Sequence, residues 1–437
     1  MRSDPSLREV IAHLRRRGVV RLYAKRLSPN DNAKNQFYVG GDFGVLNIIP
    51  ASKPEPTTSG KHRTPIFRAA VEFEWMAEDG ELFAAPGAKL ILYPQYPEVR
   101  LSGLSRGTQW APADVVGSDR TVGRVLLLGV RDNRTVVGYG AWAGSRVAGE
   151  IKAAHSGSDD LLFRIPVDGA SDERSLLAAL CRVTTRGWIP SSRLDKYGVR
   201  VQCGGPNCAG YTLEAELGVR PNGRSAPDFE GWEIKSHMVP RLDAAHGGRL
   251  TLMTPEPTGG AYRDQGVEAF VRRFGYSDMR GREMRFNFGG IHRVGALCAR
   301  TGLTMEFQGV DVVTGKLERS DAVLALTRGD EVAASWSVAD LLEHWSRKHS
   351  LAAYVPAERA IGETVEFRYG ATVHLGRGAD FMRLLRAVAL GRVYYDPGIK
   401  LELASGRAEV KRRSQFRTDF KDLKALYRSW EATSVCG

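Results

Sequence analysis

The stretch "APDFEGWEIKSH" (residues 226–237) decides how the larger part of this chain reads. Trp232-Glu233-Ile234-Lys235 alternates apolar and charged residues, the pattern of a half-buried strand. Side chains on a strand repeat every two residues, so Glu233 and Lys235 share one face. Asp228 stands just upstream, within reach of a returning turn. Two carboxylates and an ammonium aimed at one point suit metal-assisted hydrolysis of a phosphodiester. Mg²⁺ is a hard cation that prefers oxygen ligands and keeps several waters, so one or two carboxylates plus a substrate phosphate can hold it. The metal polarises a phosphoryl oxygen and acidifies a bound water, while a neighbouring lysine orients water and offsets charge growing on the phosphorane. The competing reading is a surface salt bridge of small energetic weight.

The chain has 437 residues, too many for one typical core, so two or three domains are expected. At 43% hydrophobic and 26% charged it has the composition of an ordinary soluble globular protein, and its 48 Gly and 20 Pro fit a loop-rich fold with many strands. A formal net charge of +12 and a pI near 9.5 point to a polyanionic partner, nucleic acid before membrane. No uninterrupted apolar run is long enough to span a bilayer. The N-terminus lacks the apolar core of a signal peptide and reads as an amphipathic helix with Leu7, Val10, Ile11 and Leu14 on one face. Five cysteines, few and odd in number, fit a reduced, cytoplasmic setting; Cys203 and Cys208 flank a turn, and no second pair completes a zinc site.

The first third reads as strands, at 19–27, 69–77, 89–94 and 161–167, with a hairpin over 124–142 turning at Asp132-Asn133. Polar loops at 28–36 and 52–64 separate the first strands, and the whole suggests a barrel or sandwich. The pattern changes near residue 170. Ser171 or Asp172 caps a helix carrying Leu176, Leu177, Leu180 and Val183. Beyond it a short helix over 210–218 ends at Gly218, strands at Gly231–Ser236 and 249–254 are joined by a polar turn, and amphipathic helices cover 264–276 and 379–391. His237 falls just past the strand, as a polar loop residue.

"PDFEGWEIKS" resembles the nuclease signature written PD-(D/E)-X-K, with Asp228 followed by Glu233, Ile234 and Lys235. Its neighbours sharpen the likeness. "GWIPSSR" (187–193), "GYTLEAELG" (210–218), the signature itself and "LTLMTPEP" (250–257) occur in an order similar to that of the MvaI/BcnI restriction endonucleases and their relative, the mismatch-repair nicking enzyme MutH. The resemblance covers roughly residues 170–437. It implies a restriction-endonuclease-like α/β domain, a mixed sheet flanked by helices. Its catalytic set would be Glu214, Asp228, Glu233 and Lys235, with one or two Mg²⁺ ions on Asp228 and Glu233. Glu214 comes from the "TLE" helix behind the sheet. Glu216 is the alternative, and the two lie about 200° apart around the helix, so only one can face the site.

A DNA enzyme needs phosphate contacts for affinity and base-edge contacts for selectivity. "EVKRRSQFRTDFKDLK" (409–424) offers both, with Lys411, Arg412, Arg413, Gln415 and Arg417; arginine can grip guanine and glutamine adenine. The competing reading is a solvated basic strand. Tyr394 and Tyr395 read as core or stacking residues. "YAKRLSPNDNAKNQFYVG" (23–40) resembles the start of the EcoRII effector domain, a DNA-binding β-pseudobarrel of the plant B3 type. Its first arm would hold Lys25, Arg26, Ser28, Asn30, Asp31, Lys34, Asn35 and Gln36, and its second Arg100, Ser102, Ser105, Arg106 and Gln109.

The two resemblances together imply a multidomain protein, with an effector domain over 1–169 and a nuclease domain over 170–437. They imply a monomeric type IIE restriction endonuclease that binds two copies of double-stranded DNA, activates itself through one of them and cuts near 5′-CCWGG, alongside a cognate DNA methyltransferase and no membrane. The alternatives are a MutH-like repair nickase and a DNA-binding protein without catalysis.

Overall fold

The computed structural model describes residues 4–29, 36–41, 43–59, 64–94, 98–117, 120–154, 161–167, 172–220, 228–229, 231–243, 247–279, 281–313, 317–319, 321–346, 351–404 and 407–436. The chain divides into two units, Met1–Asp172 and Glu173–Gly437.

In the N-terminal unit the helix Leu7–Arg16 starts with a reciprocal cap. The Glu9 N–H donates to Ser6 Oγ (3.3 Å) and the Ser6 N–H donates to Glu9 Oε2 (2.7 Å). With the helix Arg146–Ala154 it covers one face of a six-stranded sheet, running Phe163–Ile165, Val19–Arg26, Val125–Arg131, Val136–Ala141, Phe73–Met76 and Leu82–Ala84. The hairpin turns through Arg134, whose φ is 74°, with the Thr135 N–H donating to Asn133 Oδ1 at 3.1 Å. A second, five-stranded sheet runs Gln36–Gly40, Glu98–Ser102, Lys89–Tyr93, Thr64–Ala70 and Glu55–Ser59. Two expectations change here. Residues 69–77 form not one strand but the ends of two, one in each sheet, with the corner at Val71-Glu72. The polar stretch 52–64 is not all loop, since it supplies the edge strand Glu55–Ser59, whose polar side chains suit an exposed edge.

In the C-terminal unit the long strand Leu351–Ile361 is the hub. Glu233–Met238 pairs parallel to it along one edge, from Glu233 opposite Ala352 to Met238 opposite Ala357. Val365–Tyr369 and Thr372–Arg377 follow each other antiparallel along its other edge, and Ile189–Pro190 and Ser429–Ser434 pair outside them. The helices Asp172–Thr184 and Cys208–Glu216 pack on one face of this mixed sheet, where Leu176, Leu180, Leu213, Trp232, Ile234, Val355 and Leu375 share a core. Cys208–Glu216 ends at Gly218 in the left-handed region (φ 72°), which glycine tolerates without a Cβ clash.

The predicted strand at 249–254 exists as Arg249–Met253, but it does not pair with Glu233–Met238. It lies against Phe416–Asp419 in a three-stranded sheet completed by Val393–Tyr395. The helix predicted over 264–276 is broken at Gly266 (φ 85°) and runs Val267–Phe274, after a short turn of helix at Ala261–Asp264. The helix predicted over 379–391 is Phe381–Ala389, capped by Asp380, which accepts from the Met382 N–H at 3.1 Å.

Among the described residues no helix is long and apolar enough to cross a membrane. The expectation of reduced thiols is corrected. Cys181 is bonded to Cys436 and Cys203 to Cys208, with Cα separations of 5.1 and 5.7 Å, leaving Cys298 buried and unbonded. Packing the helix Asp172–Thr184 beside the last strand makes the first pair, and the turn before Cys208 makes the second. Neither is legible from cysteine count.

Candidate active site

A tight turn builds the centre of the site. Phe229 and Trp232 exchange both backbone hydrogen bonds (3.0 and 2.7 Å), and Gly231 sits at φ 90°, where a side chain would be strained. The turn folds Asp228 back onto the following strand, where its Oδ2 accepts from the Ile234 N–H at 3.0 Å. Glu233, Lys235 and His237 project from one face of Glu233–Met238, while Trp232 and Ile234 enter the helix-covered core on the other. The Lys235 ammonium donates to Glu233 Oε1 at 3.1 Å, and Asp228 also acts on it electrostatically. Burial works against that charge, but Glu233 first, then Tyr354 and Asp228, outweigh it, so the ammonium is held above its ordinary pKa. Asp228, Glu233 and Lys235 therefore meet at one place.

His237 is not a loop residue. It lies inside the strand, buried, stacked on Phe420 (ring centroids 4.3 Å apart), with His374 edge-on to the same ring at 5.0 Å and stacked on Trp430 at 5.3 Å. Nδ1 of each imidazole has no hydrogen-bond partner among the described residues. Burial, and then His374, push the His237 pKa down to about 4. The ring stacked on it, Phe420, and the neighbouring His374 lie far along the chain, which is why local sequence gave no sign of its burial.

The two candidate glutamates of the helix Cys208–Glu216 separate as the helical geometry requires. Glu216 is buried and gripped by two arginines, Arg186 and Arg200. Glu214 is half-buried on the helix that packs behind the strand, and its charge reaches Tyr369, whose hydroxyl donates to the Ala209 carbonyl at 2.7 Å. Among the described residues no group of three or more acidic, histidine or cysteine side chains stands ready to share a metal ion. The donor set brought together is thus Asp228 and Glu233 beside Lys235. Two carboxylates fit the habit of Mg²⁺, which fills its remaining positions with water and substrate oxygens.

The basic run near the C-terminus divides in two. Lys411, Arg412 and Arg413 are exposed, and Lys411 lies 3.6 Å from both Glu402 and Glu409. Gln415 is buried, and Arg417 is tied to Asp396 at 2.8 Å, so these two sit in the protein rather than on a free surface. In the N-terminal unit, Asn30, Asp31, Lys34 and Asn35 lie outside the described residues. Lys25 and Ser102 are buried on paired strands, whereas Arg26, Ser28, Ser105, Arg106 and Gln109 are exposed. Arg100 pairs with Glu98 and donates to Gln36 Oε1 at 3.2 Å, which joins the two expected arms side by side. The buried Arg124 reaches the Ser28 carbonyl at 3.4 Å and those of Thr121 and Asp114 at 2.9 and 3.0 Å, pinning the base of the first arm.

The sequence pattern of the MvaI/BcnI restriction endonuclease family matches residues 177–427, more than half of the chain. The chain belongs to this family. Its C-terminal unit is therefore a restriction endonuclease domain. Among solved structures, "Restriction endonuclease MvaI-cognate DNA substrate complex" aligns with 19% identity and a TM-score of 0.46, over 61% of this chain and 100% of that one. "Restriction endonuclease MvaI in the absence of DNA" aligns with 18% identity and a TM-score of 0.33, over 60% and 98%. A search of curated proteins found no match. The family match places the Asp228–Lys235 cluster and the run 411–417 inside the shared region and leaves residues 1–176 outside it.

Proposed function

We propose that the protein is a Mg²⁺-dependent type II restriction endonuclease that hydrolyses phosphodiester bonds in double-stranded DNA at a short site, with 5′-CCWGG the favoured sequence. The observation that carries this reading is the meeting of Asp228, Glu233 and Lys235 at one point in a chain of this family. Asp228 and Glu233 would hold the ion, with Glu214 the further candidate from the helix behind the strand. When bound, the ion supplies a Lewis acid and an acidified water. Lys235 donates toward the attacking water and the developing charge on phosphorus; the new P–O bond forms as the bond to the leaving oxygen breaks. Lys411, Arg412 and Arg413 contact DNA, with Gln415 and Arg417 supporting them from beneath.

The N-terminal unit acts as a B3-like effector domain that binds a second DNA copy and favours the cutting state of the nuclease unit, a type IIE arrangement in one monomer. Such activation is a coupling free energy between two sites. A cytoplasmic home, where the chain would meet DNA, is kept although two cystine bridges are formed, and a partner methyltransferase that shields the host's own sites completes the reading.

Plasmid DNA incubated with the protein and Mg²⁺ should be cut to discrete ends, and sequencing those ends returns the site and the bond. Asp228→Ala should lose cleavage while still binding the duplex. Cleavage by Asp228→Ala at the wild-type rate sinks the assignment. Added cognate oligonucleotide should stimulate cutting by the full chain, and Arg26→Ala with Arg106→Ala should abolish that stimulation. Undiminished stimulation removes the effector role.

A further inference from the structure

The C-terminal unit has a cleft of about 820 Å³ that none of the sequence-predicted residues lines. Its cations are Arg249, Arg282, Arg285, Arg300 and Lys400, and its acids are Asp278 and Asp396. Both acids are already engaged with guanidinium groups, Asp278 with Arg285 at 3.5 Å and Asp396 with Arg417 at 2.8 Å. The cleft is therefore positive, as a wall for a polyanion must be.

Its cations fall into two kinds. Arg249, Arg282 and Arg300 are exposed. Arg285 is only 12% exposed at its side chain and is held from three sides. Its Nε donates to Asn287 Oδ1 at 3.2 Å and lies near Asp278, and its Nη1 pairs with Glu402 at 3.2 Å. Asn287 is itself fixed, donating to Asp278 Oδ1 at 2.9 Å. Strand register explains the arrangement. Arg285 and Asn287 are two apart on Arg285–Gly289, opposite Glu402 and Lys400 of Gly398–Ala404, and Lys400 in turn lies opposite Lys411. The contacts on Nε and Nη1 lock the guanidinium in the wall of the cleft.

Mobile exposed cations contact phosphate and give affinity without sequence information. A donor held rigidly by neighbours is what reading a base edge requires. We infer that Arg285 is a specificity-determining residue that reads a guanine, positioned by Asp278, Asn287 and Glu402, while Arg300 and the other exposed arginines of the cleft hold the backbone. This rests on the reading of the unit as a DNA nuclease.

The test uses the full-length protein and a pool of duplex oligonucleotides with a randomised core, with cleaved ends sequenced. Wild type defines the motif. Arg285→Lys should relax one G·C position of that motif, lowering its discrimination on the order of 10-fold, the scale of one lost base contact, with the other positions unchanged. Glu402→Gln keeps the guanidinium but loosens it, and should relax the same position by less. Arg300→Ala should weaken binding equally on all sequences and reduce the salt dependence by about one phosphate contact. If both Arg285→Lys and Glu402→Gln keep the wild-type motif, or lose activity evenly over all positions, the inference fails while the nuclease reading stands. If wild type itself cuts nothing in the pool, that reading fails and this inference with it.

Discussion

Two buried acid–base clusters lie in the same unit, one on each side of the central sheet, and they differ in how charge is shared. Behind the sheet, the Glu216 carboxylate is met by Arg186 and Arg200. In front, Asp228 and Glu233 share the Lys235 ammonium. Two cations around one acid satisfy that acid in place and fasten the helix Cys208–Glu216 to its neighbours. Two acids beside one cation give a cluster richer in negative charge, the pattern that the proposed metal-assisted chemistry would use. Burial and pairing are common to both clusters; under the proposed function it is the ratio of acids to cations that would set the working cluster apart.

The largest expected effect tests that distinction directly. Glu233→Gln keeps the shape of the side chain but removes its charge, and cleavage should fall by roughly 10³-fold, the scale of losing an electrostatic group at a reacting centre. Circular dichroism should remain that of wild type. Activity within tenfold of wild type would make the front cluster structural, like the back one.

Next comes the staple behind the sheet. Cys181–Cys436 closes a span of 255 residues, and Cys436→Ser should cost about 3 kcal/mol of unfolding free energy. Denaturant titration reads the loss, and the turnover of molecules still folded should be unchanged. Cys203→Ser, in a span of only 5, should cost less.

A comparable effect, confined to acid pH, lies on the front face. Folded His237 takes a proton only near pH 4, while in the unfolded chain it does so near 6.5. Between those values the unfolded chain binds more protons, so stability falls as the pH drops from about 6.5 toward 4. The loss attributable to His237 should be roughly 3 kcal/mol by pH 4, with His374, also held low by burial, adding to it. Melting temperatures of wild type and His237→Gln across this range should converge at acid pH. Parallel curves would mean the imidazole carries no linkage.

The smallest change is expected from Glu216→Gln. Its arginines are about half exposed, so solvent screens the pairs, and stability should fall by only about 1 kcal/mol. Cleavage by the folded protein should stay near wild type. A large loss of cleavage would move Glu216 into the catalytic set in place of Glu214.

What could be read from the residues follows the range of the forces involved. Alternation at Trp232-Glu233-Ile234-Lys235 is local, and it placed Glu233 and Lys235 on one face of a strand, as the structure has them. Asp228 also returns within a few residues, through Gly231. Failures begin where partners are remote. His237 reads as a loop residue because Phe420, remote in sequence, is the ring stacked on it. Arg249–Met253 follows the active strand in sequence but pairs with Phe416–Asp419. The basic run does not show which of its side chains are exposed, yet Gln415 is buried just before the strand Phe416–Asp419 and Arg417 on that central strand is tied to Asp396. Arg285 carries no motif at all. Asp278, Asn287 and Glu402, which make it rigid, come from three strands or their ends.

The parallel ladder between Glu233–Met238 and Leu351–Ile361 carries a consequence for synthesis. A ribosome releases Asp228 and Glu233 more than a hundred residues before the strand that seats them, and the edge strand Ser429–Ser434 follows later still. A chain stopped before Leu351 therefore carries these acids without the strand they lie against, and under the proposed function it should not cut DNA.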